Sequence, residues 1–363
     1  MSWTQLAVIP VLSVLLLVHE LGHFIVARLA GIRVEEFGFG LPPRIWGVRR
    51  GDIIYSLNLI PLGAFVRMTG ENGEADPPQE GSFSSKGKLA RAAVLFAGPA
   101  MNFIAAALLF AGAYMMGWPT PTSMEIYIYK ITAGSPAEAA GLQAGDRIVA
   151  MDGRKIETSD QFIQATRAKL GKPIVLTLER NGSEVEKTMV PRTQWAEGDG
   201  PLGIGLQGKV IQMTPVSYAA PQALWMGFGR AGQMVAFTVS VPVLIIQGVL
   251  PADLARPVGP VGIYQVTTQA ADYVADSGWW FPLISITATI SAGLAIANML
   301  PFPALDGGRL LLVAVEAIRR KKIAPEREGA LHFVGLMVLL TLMLIISYYD
   351  LISPLPNIDW GPR

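Results

Sequence analysis

The residues best suited to chemistry form a short segment near the start of the chain, His19-Glu20-Leu21-Gly22-His23. On a helix, residues four apart lie on one face and one turn apart, so two imidazoles can bind a single metal ion. The glutamate after the first histidine can then act as general base toward a water on that metal. This H-E-x-x-H spacing predicts zinc ligands at His19 and His23 and a catalytic acid–base at Glu20.

The surroundings of this segment are apolar. The chain is 51% hydrophobic and only 16% charged, against about 25% charged in ordinary soluble domains. A charged side chain at the centre of a membrane helix costs roughly 2.5–3.5 kcal/mol on insertion scales. Three polar side chains at one point of an apolar helix therefore need a shared compensation, which a metal ion provides. The alternatives are a hydrogen-bonded structural cluster and a proton path.

A third ligand must come from elsewhere in the chain, because a catalytic zinc ion usually takes three protein ligands. The sequence has no cysteine, and of its 3 histidines only His332 lies outside the motif. We interpret His332, near the start of the last apolar stretch, as a packing or interfacial residue. Asp306, which precedes two glycines in a proline-rich segment, is the better candidate, with a helix cap as the alternative.

Four apolar stretches are long enough to cross a bilayer, which needs about 20 helical residues. They are residues 5–29, 92–118, 279–302 and 331–352. Basic residues are concentrated in the loops after the first and third stretches, which predicts that these loops are cytoplasmic. The N-terminus, the region between the second and third spans, and the C-terminus then face outward. The cytoplasmic end of the third span, with Asp306, lies at the depth of the H-E-x-x-H motif.

The region between the second and third spans contains two different segments. Residues 122–210 mix polar and apolar residues in short alternating runs, as expected for an α+β domain. Residues 222–250 are ambiguous, because residues 234–250 carry no charge and could be a fifth span. The charge of the flanking loops and the presence of Pro242 instead favour helices that lie on or dip into the outer membrane interface.

The α+β domain resembles a PDZ domain. The similarity is carried by the G-S-P-A-E run that begins at Gly134 and the G-D-R-I run that begins at Gly145. Leu202, Gly203 and Ile204 resemble a peptide-carboxylate loop placed late in the domain, as in circularly permuted bacterial PDZ domains. Such a loop would capture a chain end or an added strand. The alternative is a small globular domain without a ligand.

The order of these motifs resembles the site-2 protease family of intramembrane zinc metalloproteases, in particular the bacterial regulator-of-sigma-factor proteases. The resemblance is carried by the H-E-L-G-H span, the G-P-A-M-N run that begins at Gly98, one PDZ domain, and the N-x-x-P-x-P-x-L-D-G-G segment that begins at Asn298. It covers nearly the whole chain. One departure is the single PDZ domain, where the best-known member has two in tandem.

The resemblance implies a Zn²⁺ ion bound by His19, His23 and Asp306, with Glu20 as acid–base. It also implies that Asn298 helps to hold substrate near the zinc. The β-prone residues 34–40 and 52–68 would form a sheet that re-enters the membrane. The alternative is an ordinary cytoplasmic loop.

The resemblance further implies that the partners are single-span membrane proteins, such as an anti-sigma factor or remnant signal peptides, cleaved at the bilayer of the bacterial cytoplasmic membrane. A site-1 protease acting first is an additional possible partner. The net charge of +1 gives no argument for nucleic acid. A catalytically inactive membrane-tethered PDZ adaptor and a metal transporter are the alternative functions.

The predicted fold is a polytopic α-helical membrane protein with four transmembrane helices, a membrane-associated β segment and an inserted α+β PDZ domain. Its predicted parts are residues 1–120, the first half of the protease core; 121–212, the extracytoplasmic PDZ domain; 213–278, interfacial helices; and 279–363, the second half of the core.

Overall fold

The computed structural model describes residues 2–71, 80–196, 199–251, 256–321 and 323–361. The chain divides into two compact units. They are Met1–Trp118 with Ser217–Asp359, and Pro119–Val216 with Trp360–Arg363. The first unit, called the helical unit below, carries the apolar helices. The second is called the central domain.

The helices and strands of the described residues are these. The helices are α1 Trp3–Leu6, α2 Val8–Leu29, α3 Lys88–Gly117, α4 Pro136–Ala139, α5 Ser159–Arg167, α6 Ala220–Ile246, α7 Pro260–Ser277, α8 Phe281–Asn298, α9 Asp306–Arg319 and α10 Pro325–Ile352, with a 3₁₀ turn at Phe83–Ser85. The strands are β1 Val34–Arg50, β2 Ile53–Met68, β3 Trp118–Ile131, β4 Arg147–Met151, β5 Arg154–Lys155, β6 Ile174–Arg180, β7 Ser183–Met189 and β8 Ile204–Val216.

Helices α2 and α3 approach each other closely. A Cβ atom added at Gly22 of α2 would lie 2.3 Å from the Ala97 carbonyl oxygen of α3, so only hydrogen fits there. Small residues at such contacts let helix backbones pack tightly where lipid, rather than water, surrounds the pair. The buried positions of α2 include Leu15, His19, Gly22, His23 and Ala27, which recur at helical spacing. The buried face of α2 therefore carries both histidines.

Strands β1 and β2 form more than a simple hairpin. Phe37 of β1 pairs with both Tyr55 and Val66 of β2, whereas Trp46 of β1 pairs with Leu57. The segment around Phe37 therefore lies between two parts of β2. The part that contains Val66 has no further strand beside it among the described residues, so it is an edge of the sheet. This sheet confirms the predicted β segment.

The central domain is an α+β unit built on antiparallel pairs. Its strand order is β7-β6-β4-β3-β8, with β5 paired to β4. Alternating residues of the strands, such as Ile128, Leu176 and Leu178, are fully buried. The Asp146 carboxylate, 1% exposed, accepts two hydrogen bonds of 2.7 Å from the Arg180 guanidinium. Burial alone would raise the pKa of Asp146, but the hydrogen bonds from Arg180 and from a backbone N–H outweigh it and hold this pKa below its ordinary value.

Five helices of the described residues have the length and apolar composition to cross a membrane. They are Trp3–Leu29, Lys88–Gly117, Ala220–Ile246, Phe281–Asn298 and Arg327–Ile352. A membrane protein with several apolar helices is thus confirmed. The predicted number of four spans is not confirmed by this count, because α6 also qualifies.

Helix α6 continues through Pro242. It runs without interruption over 27 residues, with Pro242 inside it. Close to the proline, the Ser240 hydroxyl donates a 2.7 Å hydrogen bond to the Phe237 carbonyl. Near its start α6 packs tightly on α3, since a Cβ atom at Gly227 would lie 2.3 Å from the Ala107 carbonyl oxygen.

Candidate metal centre

His19 and His23 lie side by side on α2. Both are buried at 6% exposure, and their Nε2 atoms are 3.1 Å apart. The spacing of four residues places the rings one turn apart, as the sequence predicts.

The Asp306 side chain lies at the same point, although it comes from a helix that is distant in sequence. It is the first residue of α9, and its Oδ2 atom lies 3.0 Å from His19 Nε2 and 3.3 Å from His23 Nε2. His19, His23 and Asp306 are brought together from positions more than 280 residues apart in the sequence. The convergence follows from the packing of α9 against α3, which also contacts α2.

The donor set fits a zinc ion. The His23 Nδ1 atom lies 2.7 Å from the Val94 carbonyl oxygen, which can only accept, so Nδ1 carries a proton. In the neutral imidazole Nε2 then directs a lone pair at Asp306. The buried Asp306 Oδ2 has no hydrogen-bond donor in the described residues. Facing lone pairs repel each other unless a cation or proton lies between them. Atoms about 2.0–2.1 Å from one tetrahedral ion lie about 3.3 Å apart, close to the separations observed.

Glu20 lies beside this cluster without joining it. Its Oε2 atom accepts a 3.1 Å hydrogen bond from the Val66 N–H, at the edge of the β-sheet. Glu20, Val66 and the three clustered side chains line one cavity of about 250 Å³, together with Phe65 and Arg309. A carboxylate beside a prospective metal, with open space next to it, is the arrangement that a general base requires.

Helix α3 contributes contacts that the sequence analysis did not assign. The Val94 carbonyl bonds His23, while the Asn102 side chain lies 3.3 Å from His19 Nδ1. Between them, a Cβ atom at Gly98 would lie 2.3 Å from His23 Nε2 and 2.7 Å from His19 Nε2. Positions 94, 98 and 102 are spaced by four, so one face of α3 supports both rings. An asparagine inside an apolar span was the signal that could have revealed it.

The amide of Asn102 suits a metal-binding imidazole in one of its two orientations. Its Oδ1 atom is buried without a hydrogen-bond partner. A half-turn of the amide places Oδ1 against His19 Nδ1, so that Nδ1–H donates and Nε2 keeps its lone pair for the metal. The Asn102 backbone carbonyl in turn accepts a 2.8 Å bond from the Ser291 hydroxyl of α8.

Asn298 is placed differently from the ligands. It is the last residue of α8, half-buried, and is not among the described residues that line the cavity. Its role in holding substrate stays a prediction.

The predicted carboxylate loop lies in the central domain. Leu202 and Ile204 line a second cavity, of about 340 Å³, with Phe162 and Trp195. Gly203 has φ +71, and its N–H already donates a 3.0 Å bond to the Gly200 carbonyl. A peptide carboxylate would therefore have to replace this turn bond or use the neighbouring N–H groups.

Comparison with known proteins decides the family. The sequence profile of Peptidase family M50 matches residues 7–342. This chain belongs to Peptidase family M50. A Clostridium perfringens protein described as a zinc metalloprotease is 35% identical to it, over 94% of this chain and 97% of its own length. The zinc metalloprotease RasP of Geobacillus kaustophilus is 28% identical, over 94% of this chain and 96% of its own.

Membership of family M50 makes this chain a zinc metalloendopeptidase of the membrane, as its site-2 protease resemblance implies.

Among solved structures, the PDZ domain of an SdrC-like protein from Listeria monocytogenes is similar to part of the chain. It has 24% identity and a TM-score of 0.21, and the match covers 22% of this chain and 85% of that domain.

The contact of Gly98 with both imidazoles gives a testable prediction. Gly98→Ala puts a methyl group where the two Nε2 atoms lie, so we expect zinc content of the purified enzyme to fall by at least about tenfold. Gly112→Ala on the same helix is the matched control, because a Cβ atom there meets nothing within 4 Å. Zinc measured by atomic emission on both variants checks it. Equal zinc in Gly98→Ala and Gly112→Ala would contradict the geometry.

Proposed function

We propose that this family M50 metalloprotease hydrolyses peptide bonds within or beside the transmembrane segments of single-span membrane proteins. The observation that carries the proposal is the approach of Asp306 to within 3.3 Å of both imidazoles of an apolar helix. A hydrolytic centre built on such helices is accessible to substrates that are themselves in the membrane. Anti-sigma factors and remnant signal peptides are the substrate classes that the site-2 protease resemblance implies.

The chemistry assigns a separate task to each side chain. His19, His23 and Asp306 hold the zinc ion, which when bound lowers the pKa of a water to about 7 and polarises the scissile carbonyl. Glu20 takes the proton from the attacking water and delivers it to the leaving nitrogen. The Val66 N–H holds the Glu20 carboxylate toward the cavity.

The sheet beside Glu20 supports an extended substrate. A peptide bond inside a helix is sterically covered, so a substrate must unwind before a water can reach it. The edge part of β2 that contains Val66 offers backbone groups to such a segment, which would add to the sheet as a further strand. Exposed apolar side chains on β1 and β2, among them Ile45, Trp46 and Leu59, are suited to contact with lipid.

The topology of four spans remains our proposal, with α6 inserted from the outer side. The Tyr218 N–H, before α6, donates to the Tyr114 carbonyl near the end of α3. The Trp279 indole, before α8, donates to the Met116 carbonyl at the same end. Both helices start near this end of α3, which supports a start from one side of the membrane. A crossing by α6 would then need a second crossing before α8. Helix α7, between them, is not among the candidate spans.

The first prediction here separates ligands from base. His19→Ala, His23→Ala and Asp306→Ala should each lose zinc together with proteolysis of a membrane-embedded substrate. Glu20→Gln should keep zinc and lose activity by about 10²–10⁴-fold, because only the proton acceptor is removed.

Zinc content and cleavage rate are measured on the same detergent preparations. Glu35→Gln is the matched control, since Glu35 lies on the sheet but bonds Thr69. Full zinc binding by Asp306→Ala would remove it from the ligand set, and an active Glu20→Gln enzyme would remove Glu20 from its role.

Topology is tested by reporter fusions. Insertions near Asn181, after Gly248 and at the C-terminus should report an extracytoplasmic position, because the basic loops are assigned to the cytoplasm. Insertions at Gly51 and near Lys321 should report the cytoplasm. Gly51 is chosen because a side chain added there meets nothing within 4 Å. A cytoplasmic report after Gly248 would mean that α6 crosses and would overturn the four-span topology.

We also propose that the central domain selects substrates by size. The chain enters it from α3 and leaves it toward α6, and it holds none of the proposed ligands. A trimmed substrate stub could then reach the membrane beside it, while a bulky outward domain would be excluded. This accords with a site-1 protease acting first.

The size filter predicts a dependence on the substrate's outward domain. With one fixed span, cleavage should fall steeply as that domain grows, and deletion of residues 122–210 should relax the fall while zinc is kept. Tyr218 and Tyr114 lie close enough for a short linker to replace the deleted part. Equal cleavage of all sizes by the intact enzyme would contradict the filter.

A variant of the second cavity separates filtering from peptide capture. Trp195→Ala opens the wall of that cavity, so a peptide-end receptor would lose affinity for trimmed substrates, whereas a size filter would respond little. Val190→Ala is the control, being an exposed apolar residue of the same domain outside the cavity.

A further inference from the structure

The backbone just before Asp306 is in an uncommon conformation. Ala304 has φ +79, in the left-handed region that residues with a side chain seldom adopt. It lines the metal cavity, two residues before the carboxylate. Such backbone persists only where the surrounding structure fixes it, and it recurs at functional sites. The question is which contact fixes it here.

A histidine on α10 makes that contact. The Ala304 N–H donates a 2.9 Å hydrogen bond to His332 Nδ1. A ring nitrogen that accepts must be unprotonated, so the proton of the neutral imidazole is on Nε2. Nε2 is buried, and the Glu328 carboxylate lies 3.8 Å away, one turn earlier on the same helix. The ring is therefore oriented with its acceptor toward the loop.

The next turn of α10 also contacts the loop that contains Pro303 and Ala304. A Cβ atom added at Gly335 would lie 2.4 Å from Pro303 Cβ and 2.5 Å from the Pro303 carbonyl oxygen. His332 and Gly335 are three residues apart and share a face of α10. This face therefore holds Pro303 and Ala304 by one hydrogen bond and one close backbone contact.

On the other side, the start of α9 rests on the loop itself. A Cβ atom at Gly307 would lie 2.3 Å from the Leu300 carbonyl oxygen, and one at Gly308 would lie 2.1 Å from the Phe302 carbonyl oxygen. Gly307 and Gly308 therefore bring the first turn of α9 into close contact with the backbone of the loop. A rotation of the Ala304 peptide would consequently shift Asp306.

We propose that His332 is a positioning residue that fixes the Ala304 peptide and thereby sets Asp306 at the metal site. A packing histidine, as the sequence suggests, would need only its volume. A positioning histidine needs its acceptor nitrogen, Nδ1. Removal of that nitrogen should be compensated by a second substitution that lets residue 304 keep its positive φ without the hydrogen bond. The inference rests on the proposed role of Asp306 as a zinc ligand.

The decisive experiment combines two substitutions in the full chain. His332→Leu keeps the volume and removes the acceptor, so the zinc dissociation constant, measured by chelator competition, should rise by about 10–100-fold. His332→Asn can present an oxygen near the Nδ1 position and should retain most of the affinity. Ala304→Gly alone should change little, because glycine adopts positive φ freely. In the His332→Leu background it should recover much of the lost affinity.

Several outcomes would overturn the proposal. They are normal zinc affinity in His332→Leu, equal losses for His332→Leu and His332→Asn, or no recovery by Ala304→Gly. Phe333→Leu, at an exposed position of α10, is the control for general damage to the helix. If His332→Leu fails to fold, His332→Asn compared with His332→Gln tests the same point, since glutamine places its oxygen nearer the Nε2 position. Unchanged zinc in Asp306→Ala would refute the ligand assignment itself, separately from His332.

Discussion

The helical unit must accommodate three lone-pair atoms that meet at one buried position. His19, His23 and Asp306 bring two nitrogens and an oxygen within 3.3 Å of one another among apolar helices. Without a cation or a proton between them these lone pairs repel each other, and desolvation makes the repulsion worse. A bound zinc ion would remove the repulsion and would link α2 to α9. Gly98 of α3 leaves the space in which the two Nε2 atoms lie.

Helix α3 is the support behind the link. The Val94 carbonyl accepts from His23, and the Asn102 amide lies beside His19. Gly98, between them, has no side chain to occupy the space of the two rings. The Val94 carbonyl and the Asn102 amide orient the rings, whereas Gly98 leaves room for them. A ligand whose second nitrogen is held in this way has a defined tautomer and direction. In our proposal, the loop that α10 contacts at Pro303 and Ala304 positions Asp306 in the same way.

The sequence predicted the parts of the site whose signal is local. The H-E-x-x-H spacing identified His19 and His23, and loop charges placed Asp306 at their depth, because both follow from helix geometry and membrane polarity. The contacts of Gly98 and His332 were not predictable, since they depend on which faces of α3 and α10 meet their neighbours. Pro242 weakens the case for a straight helix, yet α6 continues through it, because a proline removes a single N–H and the helix is regular on both sides. The pairing of Phe37 with two parts of β2 could not be predicted either. Alternating apolar and polar residues predict a strand but not the strand it pairs with.

The distance in sequence between α2 and α9 has a consequence for biogenesis. Asp306 lies 283 residues after His23, so it leaves the ribosome on the order of tens of seconds later at about 5–20 residues per second. Until then the nascent chain carries only two of the three proposed ligands. A product of translation that stops before Asp306 is therefore expected to be inactive toward the proteins around it.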